Sequence, residues 1–242
     1  MNRKAVSLFA LAVIASGLVL ALTGCELIDE EMGKDLVDSA FPMYITYVNY
    51  SDGADLPTIF VFAKNAIPGF DELEDGIAWR VLPDIAKGSS SEFTVLPTCT
   101  VRASWGGVNR TESLVAEPGQ RYAVVEDDTG IVLLHVGSAS QPNVIEVTSE
   151  VQVTGGITAH LLNDGKLLMQ ESIVAYGQKA TFVLERKLYW GLASEIQESQ
   201  LIRSAVLDSL DFFEQDLSGV TGATVTLTGD WRSGYLFEVT ND

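Results

Sequence analysis

From Met43 to the C-terminus, apolar and polar residues alternate in short runs separated by glycine, aspartate, asparagine and proline. β-Branched and aromatic side chains at a period of two, bounded by turn residues, predict strands. In the first half these fall at Tyr44–Tyr50, Thr58–Phe62, Ala78–Leu82, Phe93–Leu96, Thr100–Trp105, Tyr122–Glu126, Ile131–Val136 and Val144–Thr148. The pattern continues at Ile157–Leu162, Lys166–Glu171, Ala180–Arg186, around Leu188–Leu192, and at Thr224–Thr228 and Tyr235–Thr240. Asp127-Asp128-Thr129-Gly130 and Asn163-Asp164-Gly165 read as hairpin loops. Ile131–Val136 is apolar on both faces, which predicts a central strand. Gln200–Leu217 fits two periods. Ile202, Val206, Leu210, Phe213 and Leu217 would line one face of a helix, whereas the pairs Val206-Leu207 and Phe212-Phe213 suit strands. Its neighbours are all strands, so it is read as strand.

Short strands at regular spacing define an all-β class, for which packed sheets are the stable solution. Two echoes suggest an internal repeat. Ile45-Thr46 and Ile157-Thr158 are each followed by Asp-Gly, at Asp52-Gly53 and Asp164-Gly165, and Gly119-Gln120-Arg121 and Gly177-Gln178-Lys179 both lead into apolar runs. The expected architecture is therefore two tandem β-sandwich domains, 43–150 and 151–242, joined near Ser149–Gly156.

The N-terminus has a different texture. Arg3 and Lys4 precede an apolar run from Ala5 to Leu22, and no acidic residue occurs before Glu26. This is the layout of a secretory signal. The run ends in Leu22-Thr23-Gly24-Cys25, which resembles the lipobox of bacterial lipoproteins. The resemblance implies cleavage after residue 24, a thioether lipid on Cys25 and acylation of the new N-terminus. It also implies a protein of the cell envelope held at a membrane. Glu26 stands where that family typically uses aspartate for inner-membrane retention, which points to the outer membrane in a double-membraned host. Residues 25–42 are rich in acid and read as a tether. No later apolar run approaches spanning length.

Charge narrows the partners. The chain has 15 Lys and Arg against 33 Asp and Glu, a net charge of −18, and loss of Arg3 and Lys4 with the signal makes it more acidic still. Such a balance argues against nucleic acid and anionic lipid headgroups, which the chain as a whole would repel. It favours partners that are neutral or basic, and an envelope glycan or a protein is the expected partner. With Cys25 lipidated, Cys99 has no cysteine to pair with, and its strand context reads as a buried, inert thiol.

Candidate chemistry is sparse. No nucleophile elbow, P-loop or paired-histidine zinc motif occurs; His135 and His160 stand alone, and no cofactor is expected. Asp71, Glu72, Glu74 and Asp75 are weak candidates for calcium, because Leu73 occupies a position where an EF-hand loop needs an oxygen ligand. Aromatic residues next to turns say more. Trp231 with Arg232 and Tyr235, Trp105 before Gly106-Gly107, and Trp190 before Gly191 are candidates for ligand contact, the alternative being that they cap the ends of the sheets. The leading expectation is a non-catalytic binding or scaffolding protein. Its alternatives are a glycan-acting envelope hydrolase with dispersed carboxylates and a structural assembly subunit.

Overall fold

Alternation along the sequence becomes alternation of burial. In β1 (Met43–Asn49), Met43, Ile45, Tyr47 and Asn49 are buried, and the residues between them are half-buried or exposed. The computed structural model describes residues 41–52, 58–67, 76–203, 207 and 212–241. The signal, Cys25, nearly all of the tether and the acidic cluster 71–75 lie outside the described residues.

Among the described residues there are seventeen strands and no helix. After β1 come β2 (Thr58–Phe62), β3 (Arg80–Leu82) and β4 (Ser90–Val95). A middle group follows: β5 (Cys99–Trp105), β6 (Asn109–Arg110), β7 (Leu114–Ala116), β8 (Gln120–Asp127), β9 (Gly130–Ser138), β10 (Val144–Ser149), β11 (Ile157–Asn163), β12 (Lys166–Val174) and β13 (Lys179–Val183). The last group is β14 (Lys187–Ala193), β15 (Phe213–Asp216), β16 (Gly222–Asp230) and β17 (Gly234–Asn241). Across 200–217 the described part is strand-like, with bridges at Leu201 and Leu207 and then β15.

Strand pairing divides the chain differently from the expected tandem. Two sheets, ordered β17-β16-β1-β4 and β15-β14-β2-β3, draw on both ends of the chain. The other two, β13-β10-β8-β9 and β12-β11-β5-β6 with β7 also on β5, use the middle group alone. The contiguous segment 99–183 is thus inserted into an outer pair of sheets, and the boundary at Ser149–Gly156 separates nothing. That stretch links β10 to β11 within the middle group. The echoes mark similar turns. At both Gly-Gln sites the glutamine side chain accepts the N–H three residues earlier, and the glutamine N–H returns to the carbonyl of that same residue, Glu117 or Ala175.

Aromatic contacts bind the outer pair face to face. Trp190 on β14 stacks with Tyr47 of β1 at 6.1 Å and meets Phe93 of β4 at 5.9 Å, while Phe213 of β15 stacks on Phe237 of β17 at 5.8 Å. In the middle group, the Tyr122 hydroxyl donates to the Val115 carbonyl at 2.7 Å and the Thr181 N–H to Glu171 Oε2 at 3.0 Å, each joining one sheet to the other. Both groups contribute to a shared hydrophobic core.

The β11–β12 hairpin fastens the middle group to the outer sheets. Asp164 and Gly165 both have positive φ, 51° and 70°, the backbone of a two-residue type I′ turn. The buried Asn163 just before it accepts the Leu96 N–H at 3.0 Å and donates to the Leu96 carbonyl at 2.9 Å; its own carbonyl accepts Trp79 Nε1–H at 3.1 Å. Arg80 pairs with Asp164 at 2.7 Å and lies over the rings of Trp79 and Phe93. Asn65 makes a second clasp, donating to the Thr181 carbonyl and accepting the Val183 N–H at 2.9 and 2.8 Å.

One strand is misplaced by its apolarity. Ile131–Val136 lies in β9, at the edge of its sheet and paired only with β8. Leu133 faces the core beside Val124, while Leu134 and Val136 on the strand's other side are exposed. Pairing partners, not composition, decide which strand is central.

Candidate functional site

The β16–β17 hairpin ends in the turn that the sequence marks for display. Asp230 Oδ1 accepts the N–H groups of Arg232 and Ser233 at 2.8 and 2.7 Å and the Ser233 hydroxyl at 2.8 Å. These bonds hold the Asp230 carboxyl below its ordinary range, the Ser233 contacts contributing most. Gly229 is obligatory here, because its φ is +86° and a Cβ would lie 2.1 Å from the Gly234 carbonyl oxygen. Held in this way, Trp231 is 67% exposed, and the Arg232 guanidinium sits 4.9 Å from its ring centroid.

The other aromatic candidates divide. Tyr235 is half-buried against the core, on the strand side that also carries Phe237. Trp105 is half-buried against the core at the end of β5, in a sheet different from that of Trp231. Trp190 is fully buried and is no ligand contact. The run around it continues to Ala193, which places it inside β14 between β15 and β2, and its Nε1–H donates to Gln215 Oε1 at 2.9 Å. A tryptophan followed by glycine marks a strand end at Trp105 but not at Trp190.

Cys99 is buried, as its strand context predicts. Burial pushes its thiol pKa up, against the opposing effect of the Asn163 amide 3.6 Å from Sγ. Among the described residues no group of three or more His, Cys, Asp and Glu is placed to hold a metal ion. The Asp127 carboxylate is turned inward on its own loop, accepting both the N–H and the hydroxyl of Thr129 at 2.7 Å.

Pairing of β11 with β5 assembles a group that reading along the chain misses. Ser104 Oγ and His160 Nε2 are hydrogen-bonded at 2.7 Å, on strands 56 residues apart. Their alternation with buried Val101, Ala103, Ala159 and Leu161 puts them on the sheet face turned away from the core. Arg102 stands directly opposite His160, and Arg110 opposite Ser104. Desolvation, assisted by the Arg102 charge, lowers the His160 pKa from 6.5 to about 4, so the ring is neutral near pH 7. A serine hydrogen-bonded to a neutral histidine is the start of a nucleophilic dyad, but the base in such a device is oriented through its second nitrogen. Nδ1 of His160 is buried with no hydrogen-bond partner.

The depressed histidine makes a testable pH dependence. As pH falls below 6.5, the unfolded chain takes up a proton at this position that the folded chain refuses until about pH 4. The contribution is therefore full above pH 6.5 and lost progressively toward pH 4. Urea midpoints at about pH 7.5 and about pH 5 should fall less in His160→Gln than in wild type. Equal losses would remove His160 from the balance.

Compared with protein-family models, curated proteins and solved structures, the chain matches none.

Proposed function

We propose that this chain is a lipid-anchored, non-catalytic binding protein of the cell envelope. Cys25 carries the membrane anchor, and the β-sheet body presents a ligand-contact surface to an envelope glycan or protein. The observation that carries the binding role is Trp231. A tryptophan fixed at a hairpin tip by three bonds to Asp230, two-thirds exposed and stacked with its neighbour Arg232, gains little for the fold from its size. It offers a flat apolar face next to a guanidinium fork, a pairing suited to sugar rings or extended peptide. The anchor rests on the lipobox-like Leu22-Thr23-Gly24-Cys25.

One set of variants tests both parts. Trp231→Ala should keep its fatty-acid label and melting temperature, because surface changes of this kind stay within about 0.5 kcal/mol. It should lose most of its retention on an insoluble envelope fraction. Cys25→Ser should lose the label. Undiminished retention by Trp231→Ala counts against the binding surface, and label persisting in Cys25→Ser counts against the anchor.

A further inference from the structure

The outer face of the β12-β11-β5-β6 sheet carries a small polar grid. Arg110, Ser104 and Thr158 form one row across β6, β5 and β11; Arg102, His160 and Gln170 form the next across β5, β11 and β12. Each neighbour in a row is directly opposed to the next, at a Cβ separation of about 5 Å. Neither row contains a carboxylate from β5 to β12, although Glu112, which follows Thr111 where that residue bonds to Ala103, stands beside Arg102 at the β6 edge. Glu171, the next residue on β12, is opposed to the buried Ala159 and accepts the Thr181 N–H. The ion pairs Arg80–Asp164, Lys87–Asp52, Lys166–Glu198, Lys179–Glu146 and Lys187–Glu214 take up neither Arg102 nor Arg110.

Among the described residues, neither arginine is held in a close ion pair. Acidic residues outnumber basic ones more than two to one in the chain, so counter-charges for two arginines were abundant. Instead the two arginines hold register positions opposite a hydroxyl and an imidazole already bonded to each other at 2.7 Å. In the tautomer that leaves Nδ1 as a bare acceptor, Nε2–H donates to Ser104, and the serine's own proton is left for a ligand. Guanidinium forks and a hydroxyl donor match the oxygens of one carboxylate or phosphate group.

We infer that this face is an oxyanion subsite. Arg102 and Arg110 pair with the oxygens of a carboxylate or phosphate group on an acidic envelope polymer, and the Ser104 hydroxyl donates the third bond. The inference rests on the binding role proposed above and names the charge class of its ligand. The negative chain repels such a polymer at long range. Attraction is confined to within about a Debye length of the grid, roughly 10 Å at 0.1 M salt, so binding is modest and salt-sensitive.

Titration calorimetry on the full chain in micelles of a neutral detergent tests it with three probes: an oligogalacturonate, an oligo(glycerol phosphate) and a neutral galactose oligomer. One or both anionic probes should bind, and which one does identifies the source of the oxyanion. The double variant Arg102→Gln/Arg110→Gln should bind about tenfold more weakly or worse. Arg102→Lys/Arg110→Lys, which keeps charge but loses the fork, should fall between the two. Lys87→Gln should match wild type, and circular dichroism of each variant reports the fold. Absence of binding by both anionic probes overturns the subsite, as does equal binding by the neutral oligomer or an unchanged affinity in both double variants. If these fail while retention still depends on Trp231, only the oxyanion subsite falls. If retention ignores Trp231 while the anion titration succeeds, the hairpin surface falls instead.

Discussion

Trp190→Ala is expected to cost about 3–5 kcal/mol, the range for deleting a large aromatic side chain from a packed core. For a domain of this size that lowers the melting temperature by on the order of 10 °C. The loss has two sources. The indole fills the space between the outer sheets, touching Tyr47, Phe93 and Phe237, and its removal leaves a cavity that three rings on different strands cannot jointly close. Its Nε1–H is also the partner of Gln215 Oε1, and Gln215 is itself buried with an amide nitrogen already lacking a partner. Trp190→Phe restores most of the volume but not the bond, and should cost about 1–2 kcal/mol. Denaturant unfolding followed by far-UV circular dichroism measures all three proteins. A Trp190→Ala effect no larger than that of Trp231→Ala would contradict its placement in the core.

Asn163→Ala is the second large effect, with an expected cost of about 2–4 kcal/mol. The side chain satisfies both the N–H and the carbonyl of Leu96, at the point where the chain passes from β4 into β5. Alanine leaves both groups to find other partners, and loosens the hairpin that also receives Trp79 and Arg80. The consequence is local as well as global. Limited proteolysis of Asn163→Ala should cut first at 96–98 or 184–186, the two crossings between the outer sheets and the inserted segment. First cutting at Ser149–Gly156 would mean that the inserted segment is not the unit that loosens.

The class of the fold was legible because period-two alternation is a local property. Met43, Ile45 and Tyr47 face inward for the same reason that they alternate with Tyr44, Thr46 and Val48. Asp164-Gly165 could be read as a hairpin because its backbone demand is confined to two residues. Architecture was not legible, because β1 pairs with β16 and β14 with β2, and nothing in any of these runs specifies a distant partner. The tandem reading failed there, and so did the central placement of Ile131–Val136. The candidate site divides along the same line. Trp231 and Asp230 share a turn and were visible together. Trp190 was misread because Gly191 resembles a strand end. His160 was set aside as solitary because Ser104 is brought to it only by the register of β11 on β5. Minor strands β6 and β7 are too short to give a periodic signal.

The nesting of one segment inside another imposes an order of assembly. A chain made from its N-terminus presents β1 early, and β4 can join it on one side. The opposite edge of β1 must wait for β16, whose register sets Tyr44 beside Gly222. The segment from Cys99 to Val183 needs nothing from outside itself to complete its two sheets. Its contacts are the more local ones and carry the smaller loop-closure cost, so this segment is placed to form first. Once it does, its two ends leave as Leu96–Cys99 at one boundary and Val183–Lys187 at the other, the first held by Asn163 of β11 and the second by Asn65, just after β2. The finished insert then shortens the effective loop between the two halves of the outer sheets, and acts as the template on which the first and last strands of the chain meet.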